Sequence, residues 1–96
     1  MASQPTVDPD LDQVCQALKG MFRSPDDCRV EVFHSSGPYL RAIVVSDEFE
    51  NEGAASRQDR VWEHLKKSAL KPDLLTRLFG VHPYTWKEFR EEFQET

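Results

Sequence analysis

The run PYLRAIVVSDEFENEGAASRQDRVWEHLKK, from Pro38 to Lys67, constrains the fold more than any other part of this chain. It opens as a strand. Leu40, Ala42 and Val44 point one way, while Tyr39, Arg41, Ile43 and Val45 point the other. The branched side chains at Ile43–Val45 favour extended backbone, because they pack well on a pleated surface. Ser46 and Asp47 break the alternation, and Phe49 is expected to fold back as a hydrophobic plug. Gly53 and the small pair Ala54–Ala55 suit a tight connection. Ser56 and Asp59 have the spacing of a capping box. Beyond them Val61, Trp62, Leu65 and Ala69 recur at helical spacing. A buried strand therefore leads into an amphipathic helix, and the rest of the chain must pack on that unit.

The flanking segments follow the same logic. Residues 1–8 are polar and contain a proline, and are expected to form a flexible tail. Asp8 or Asp10 can cap a helix with Pro9 in its first turn. Leu11, Val14, Cys15, Leu18, Met21 and Phe22 form the apolar face of that helix, which Ser24-Pro25 ends. In Cys28–His34, Val30 and Val32 alternate with Arg29, Glu31 and Phe33, the pattern of a half-buried strand. The short Ser35–Pro38 turn makes this strand the antiparallel neighbour of the next one. Lys66 and Lys67 suit the end of the long helix, which Lys71-Pro72-Asp73 stops.

Residues 74–82, LLTRLFGVH, allow a helix by composition. Their length, the bracketing Pro72 and Pro83, and Gly80 favour a third strand. In that strand Leu75, Arg77, Phe79 and Val81 would share one face, and Leu74, Thr76, Leu78 and Gly80 the other. Thr85 and Glu88 form a second capping-box spacing. It opens a last helix with Trp86, Phe89 and Phe93 on one side, expected to anchor it to the core. The expected fold is a small single α/β domain over residues 9–96. Its order is α-β-β-α-β-α, with a three-stranded mixed sheet and helices packed mainly on one face.

At 96 residues and 39% apolar side chains, one thin core is all that such a chain can bury. Its formal net charge of −5 argues against wrapping around a phosphate backbone, though a local basic patch remains compatible with it. The two cysteines, Cys15 and Cys28, lack CxxC spacing and are expected to stay reduced. No run resembles a signal peptide or a membrane span, so the expected location is cytoplasmic.

Three histidines and several cations are the residues to weigh for function. His34 ends the first strand beside a turn, where it can ligate a metal or meet a partner; the plainer reading is a solvated turn residue. His82, before Pro83, is either a ligand or a half-buried histidine bonded to backbone. His64, on the long helix, reads as structural. None has the local spacing of a zinc site. Arg57, Arg60, Lys66 and Lys67 lie on or near the main helix, where they can meet an acidic partner or a phosphate, or form ion pairs on a solvated surface. Arg77 marks either a functional rim or an outward face. Asp47, Glu48, Glu50 and Glu52 read as solvated loop charge. There is no Gly-rich phosphate loop, nucleophile elbow or HExxH, and no Gly-x-x-Gly nucleic-acid clamp.

From Val30 to Glu88 the sequence resembles the BolA-like proteins. The matching pieces are VEVFHSS, YLRAIVVSDEFE, SRQDRVWEHL and VHPYTWKEF. The resemblance implies a class II KH-like fold without the Gly-x-x-Gly loop. It also implies a non-enzymatic adaptor or regulator that partners a monothiol glutaredoxin in iron–sulfur trafficking, with no cofactor bound alone and a [2Fe-2S] cluster shared with the partner. Some relatives are tied to stress response and transcription, so a nucleic-acid-binding module is the alternative. By the family pattern His34 lies near a variable ligand position, and His82 matches the less constant histidine of the third strand. The more constant histidine position falls on Arg77, and arginine offers only donors. At the start of the main helix, Arg57-Gln58-Asp59 stands where the family often has Arg-His-Arg. The metal candidates are thus His34 and His82. The candidate contacts to a partner or nucleic acid are Arg57, Arg60, Lys66, Lys67 and Arg77.

Overall fold

Alternation along residues 40–45 decides the architecture. In the structure, a computed structural model that describes residues 9–93, Leu40, Ala42 and Val44 are all fully buried on one face of a sheet. Helix α1 (Pro9–Lys19) and helix α2 (Ala54–Lys67) cover that face with Val14, Leu18, Val61 and Leu65. Strand β1 (Arg29–His34) pairs antiparallel with strand β2 (Leu40–Val45), and β2 pairs parallel with strand β3 (Leu78–Tyr84), in the order β1-β2-β3. Phe49 folds back from a 3₁₀ turn at Asp47–Phe49 into the core, as expected, and meets Phe22 edge to face at 5.6 Å. His64 has the expected structural role: its Nε2 lies 2.7 Å from the Ala17 carbonyl and ties α2 to α1. The expected tail over residues 1–8 lies outside the described residues. Among the described residues no helix is long and apolar enough to cross a membrane.

Three local expectations are corrected. The first concerns residues 74–82. A short helix, α3 (Pro72–Arg77), precedes β3, which extends to Tyr84. Both prolines lie inside elements rather than bracketing one. Pro72 takes a first-turn position, where the missing N–H is harmless. Pro83 sits in an edge strand with its carbonyl turned outward to Arg57, so its absent N–H costs no ladder bond. A register shift also sets Leu78 opposite Leu40 and Gly80 opposite Arg41, leaving Phe79 as an extra residue. The bulge lets Leu78 and Val81 both reach the core, which strict alternation forbids.

The second correction is the start of α2. Gly53 occupies the cap position with no side-chain bond, and the Ser56 hydroxyl donates to Glu52 Oε2 at 3.0 Å instead of capping. The third is the last helix, α4 (Trp86–Phe93), which contributes no fully buried residue. The Phe89 and Phe93 rings stack on Tyr84, with centroids 6.2 and 5.7 Å away. Tyr84 is in register with Val45, on the face opposite Ala42 and Val44, so α4 closes one end of the outer face. There Val45 is fully buried without belonging to the main core.

Candidate interaction surface

The chain's cations are distributed by the ends of the sheet. At the far end of β2, Arg57 forms a fork to Glu88, with Nη1–Oε1 at 2.5 Å and Nη2–Oε2 at 3.1 Å. Its Nε donates to the Glu52 carbonyl at 2.9 Å. Glu88 also accepts from the Thr85 N–H at 2.9 Å, while its own N–H donates to Thr85 Oγ1 at 3.2 Å, so the expected capping box forms and doubles as the anchor for Arg57. The Arg57 hydrogen bond, helped by the Thr85 N–H, holds the Glu88 carboxyl down at about 2. Arg60 pairs with Glu52 and donates to the Glu48 carbonyl at 3.2 Å. Both guanidinium groups lie over the Phe49 ring, at 5.8 and 5.3 Å. These two arginines therefore spend their donors holding α2, the 3₁₀ turn and α4 together. Lys66 and Lys67 are exposed in the last turn of α2.

The near end of the sheet is the β1–β2 turn. Gly37 adopts φ +58° there, a left-handed conformation that glycine tolerates without strain. Arg77 holds this turn: its Nε donates to the Pro38 carbonyl at 2.8 Å, and its Nη1 reaches Asp10 at 2.9 Å. The residue expected on a strand face is thus the last residue of α3, clamping the turn to the start of α1. His34 ends β1 at the same turn and is exposed.

His82 is placed elsewhere. It is half-buried within β3, in register with Ile43, whereas His34 is in register with Leu40. Strand alternation puts those two registers on opposite faces, so the sheet does not bring the histidines together. Among the described residues, no three His, Cys, Asp or Glu side chains are grouped to hold a metal. Burial pushes the Cys15 and Cys28 thiols up, away from the thiolate form that binds soft metals.

Alternation in β2 also creates a surface that the cation pattern does not announce. Arg41 projects on the outer face between Phe33 on β1 and the Phe79–Gly80 bulge on β3. Its guanidinium lies 5.1 Å from the centroid of the Phe79 ring, and that ring lies 6.0 Å from Tyr39. Phe33, Tyr39 and Phe79 are 39%, 46% and 62% exposed, respectively. The sequence signal for this patch was the placement of Tyr39 and Arg41 opposite the core residues of β2; the bulge that adds Phe79 has no such signal.

No family model and no curated protein matches the sequence. Among solved structures, the chain is similar to the solution structure of BolA1 protein from Mus musculus, with a TM-score of 0.61 and 22% identity, over 99% of this chain and 80% of that one. The helix and strand order and the mixed three-stranded sheet agree with that likeness. The fold of this chain is therefore BolA-like, as the motifs between Val30 and Glu88 led one to expect.

Proposed function

We propose that this chain is a non-enzymatic adaptor whose partner is a monothiol glutaredoxin carrying a [2Fe-2S] cluster. The observation that carries this reading is the near end of the sheet: an exposed histidine at the end of β1, beside a turn that Arg77 holds in place, with exposed rings on the opposite face of the same end. Rings and arginine at a surface are the composition of protein-binding sites. In this reading the partner holds the cluster and this chain adds a single ligand to it, which is compatible with there being no group of three ligand side chains among the described residues. His34 is the better placed of the two histidines, because it is exposed at the end of β1 whereas His82 is half-buried within β3. Arg77, with donors alone, acts on the shape of the turn.

An anaerobic titration of cluster-loaded monothiol glutaredoxin, followed by visible absorption and circular dichroism, tests the proposal. The expected result is a changed cluster spectrum that His34→Ala abolishes and His82→Ala leaves largely intact. An unchanged spectrum with the folded wild-type chain would remove the cluster from the account.

The nucleic-acid alternative has less support. Arg57, Arg60 and Arg77 are engaged inside the molecule, which leaves Lys66 and Lys67 as the exposed cations among the five candidates. Two phosphate contacts give a shallow salt dependence, so any binding to single- or double-stranded probes is expected to be weak at physiological salt.

A further inference from the structure

Among the described residues, Arg41 is the one whose buried side-chain nitrogen goes unanswered. Its Nε is buried and has no hydrogen-bond partner. The carboxylate nearest in register on the same face belongs to Glu31, and Arg29 takes it. Across on β3 the residue opposite Arg41 is Gly80, which has no side chain to offer. Most of the other arginines of the sheet and helices are answered: Arg29, Arg57, Arg60 and Arg77 all have a carboxylate. A guanidinium N–H withheld from water and from any acceptor is costly, and native structures seldom keep one without a use.

The surroundings indicate that use. Exposed Phe33, Tyr39 and Phe79 rings frame the guanidinium on the open half of the outer sheet face. We infer that this face docks an acidic peptide segment of a partner protein. One carboxylate of that segment enters beside the Phe79 ring and accepts from Arg41, and a neighbouring apolar side chain rests on the rings. The charge arrangement selects a peptide over a nucleic acid. A single guanidinium matches one carboxylate as a fork, whereas a phosphate backbone needs a row of cations. The inference rests on the chain being a protein-interaction domain, and needs neither a cluster nor a glutaredoxin.

The test pans short random peptides on the intact chain, with Arg41→Glu as counter-selection, and measures Kd of the selected peptides by fluorescence anisotropy. The expected peptides carry Asp or Glu next to an apolar residue. Arg41→Glu and Phe79→Ala should each weaken them by about tenfold, with Arg41→Lys in between. Phe79 is exposed enough that its variant should keep the wild-type fold, so the inference stays testable even if Arg41→Glu unfolds. Selected peptides without a carboxylate, affinities that Phe79→Ala leaves unchanged, or an oligouridylate that binds tighter than any peptide would overturn it. Because no cluster is present, a negative result here leaves the glutaredoxin titration standing, and the reverse holds too.

Discussion

Phe49→Ala is expected to destabilise the domain by about 3–5 kcal/mol, the range for removing a fully buried phenylalanine. Phe49 is the largest fully buried side chain, it meets Phe22 edge to face, and two guanidinium groups cover its ring. The variant loses apolar burial and leaves a cavity between the 3₁₀ turn and the sheet. It also removes the surface on which Arg57 and Arg60 rest. In a domain of this size each kcal/mol moves the thermal midpoint by about 4–8 °C, so a fall of more than about 12 °C should appear in a melt followed by circular dichroism. Phe93→Ala is the control. Phe93 is 47% exposed and meets the rings of Tyr84 and Phe89, so its loss should cost about 1 kcal/mol. Equal losses in the two variants would mean that Phe49 is not the plug of the core.

The second large effect concerns the latch between α2 and α4. Arg57→Ala removes the fork to Glu88, the bond to the Glu52 carbonyl and the cover over Phe49. A cost of about 2 kcal/mol is expected, in the range for hydrogen bonds to charged groups. The Arg57 side chain is 11% exposed but that of Glu88 is 43% exposed, so water screens the pair and the full Coulombic value does not apply. The latch also has a pH signature. Arg57 holds the Glu88 carboxyl down at about 2, below its unfolded value, so its contribution is complete above roughly pH 4.5. It is lost progressively as pH falls from there toward 2. Wild type should thus lose stability through this window more steeply than Glu88→Gln, which cannot titrate. Because α4 carries three aromatic rings, near-ultraviolet circular dichroism should report its release before the sheet melts. Parallel pH profiles for the two proteins would contradict the latch.

How far the sequence carries this account depends on the range of each interaction. The alternation of Leu40, Ala42 and Val44 was legible because period-two burial is a local property of a strand. The Thr85–Glu88 box was legible for the same reason, since its two bonds span three residues. The Ser56–Asp59 spacing was identical in kind yet formed no cap, because α2 starts at Ala54 with Gly53 in the cap position, which puts Ser56 inside the helix. Residues 74–82 misled because a bulge resets the alternation between Leu78 and Val81, and no residue type announces a bulge. Pro83 misled because whether a strand tolerates proline depends on its being an edge, which is a property of the sheet.

The candidate site was less legible. Arg57, Arg60 and Arg77 were readable as surface cations, but their partners lie up to 67 residues away and only the fold selects them. The same holds for the histidines. The family resemblance makes both His34 and His82 candidate ligands, while their registers on β2 differ by three residues and one face. Arg41 is the opposite case: a residue with an ordinary outward position in the sequence, made unusual by glycine across from it and by a neighbouring arginine that takes the nearest carboxylate.

In the proposed adaptor role, the near end of the sheet, at the β1–β2 turn, is the surface that meets a monothiol glutaredoxin. Titrating the isotope-labelled chain with cluster-loaded monothiol glutaredoxin, and following backbone amides by two-dimensional nuclear magnetic resonance, tests this most directly. Shifts and broadening concentrated on residues 33–41 and 77–80, with α2 unaffected around Lys66 and Lys67, are the predicted outcome. Perturbation confined to that end of α2, or none at saturating partner, would contradict the claim.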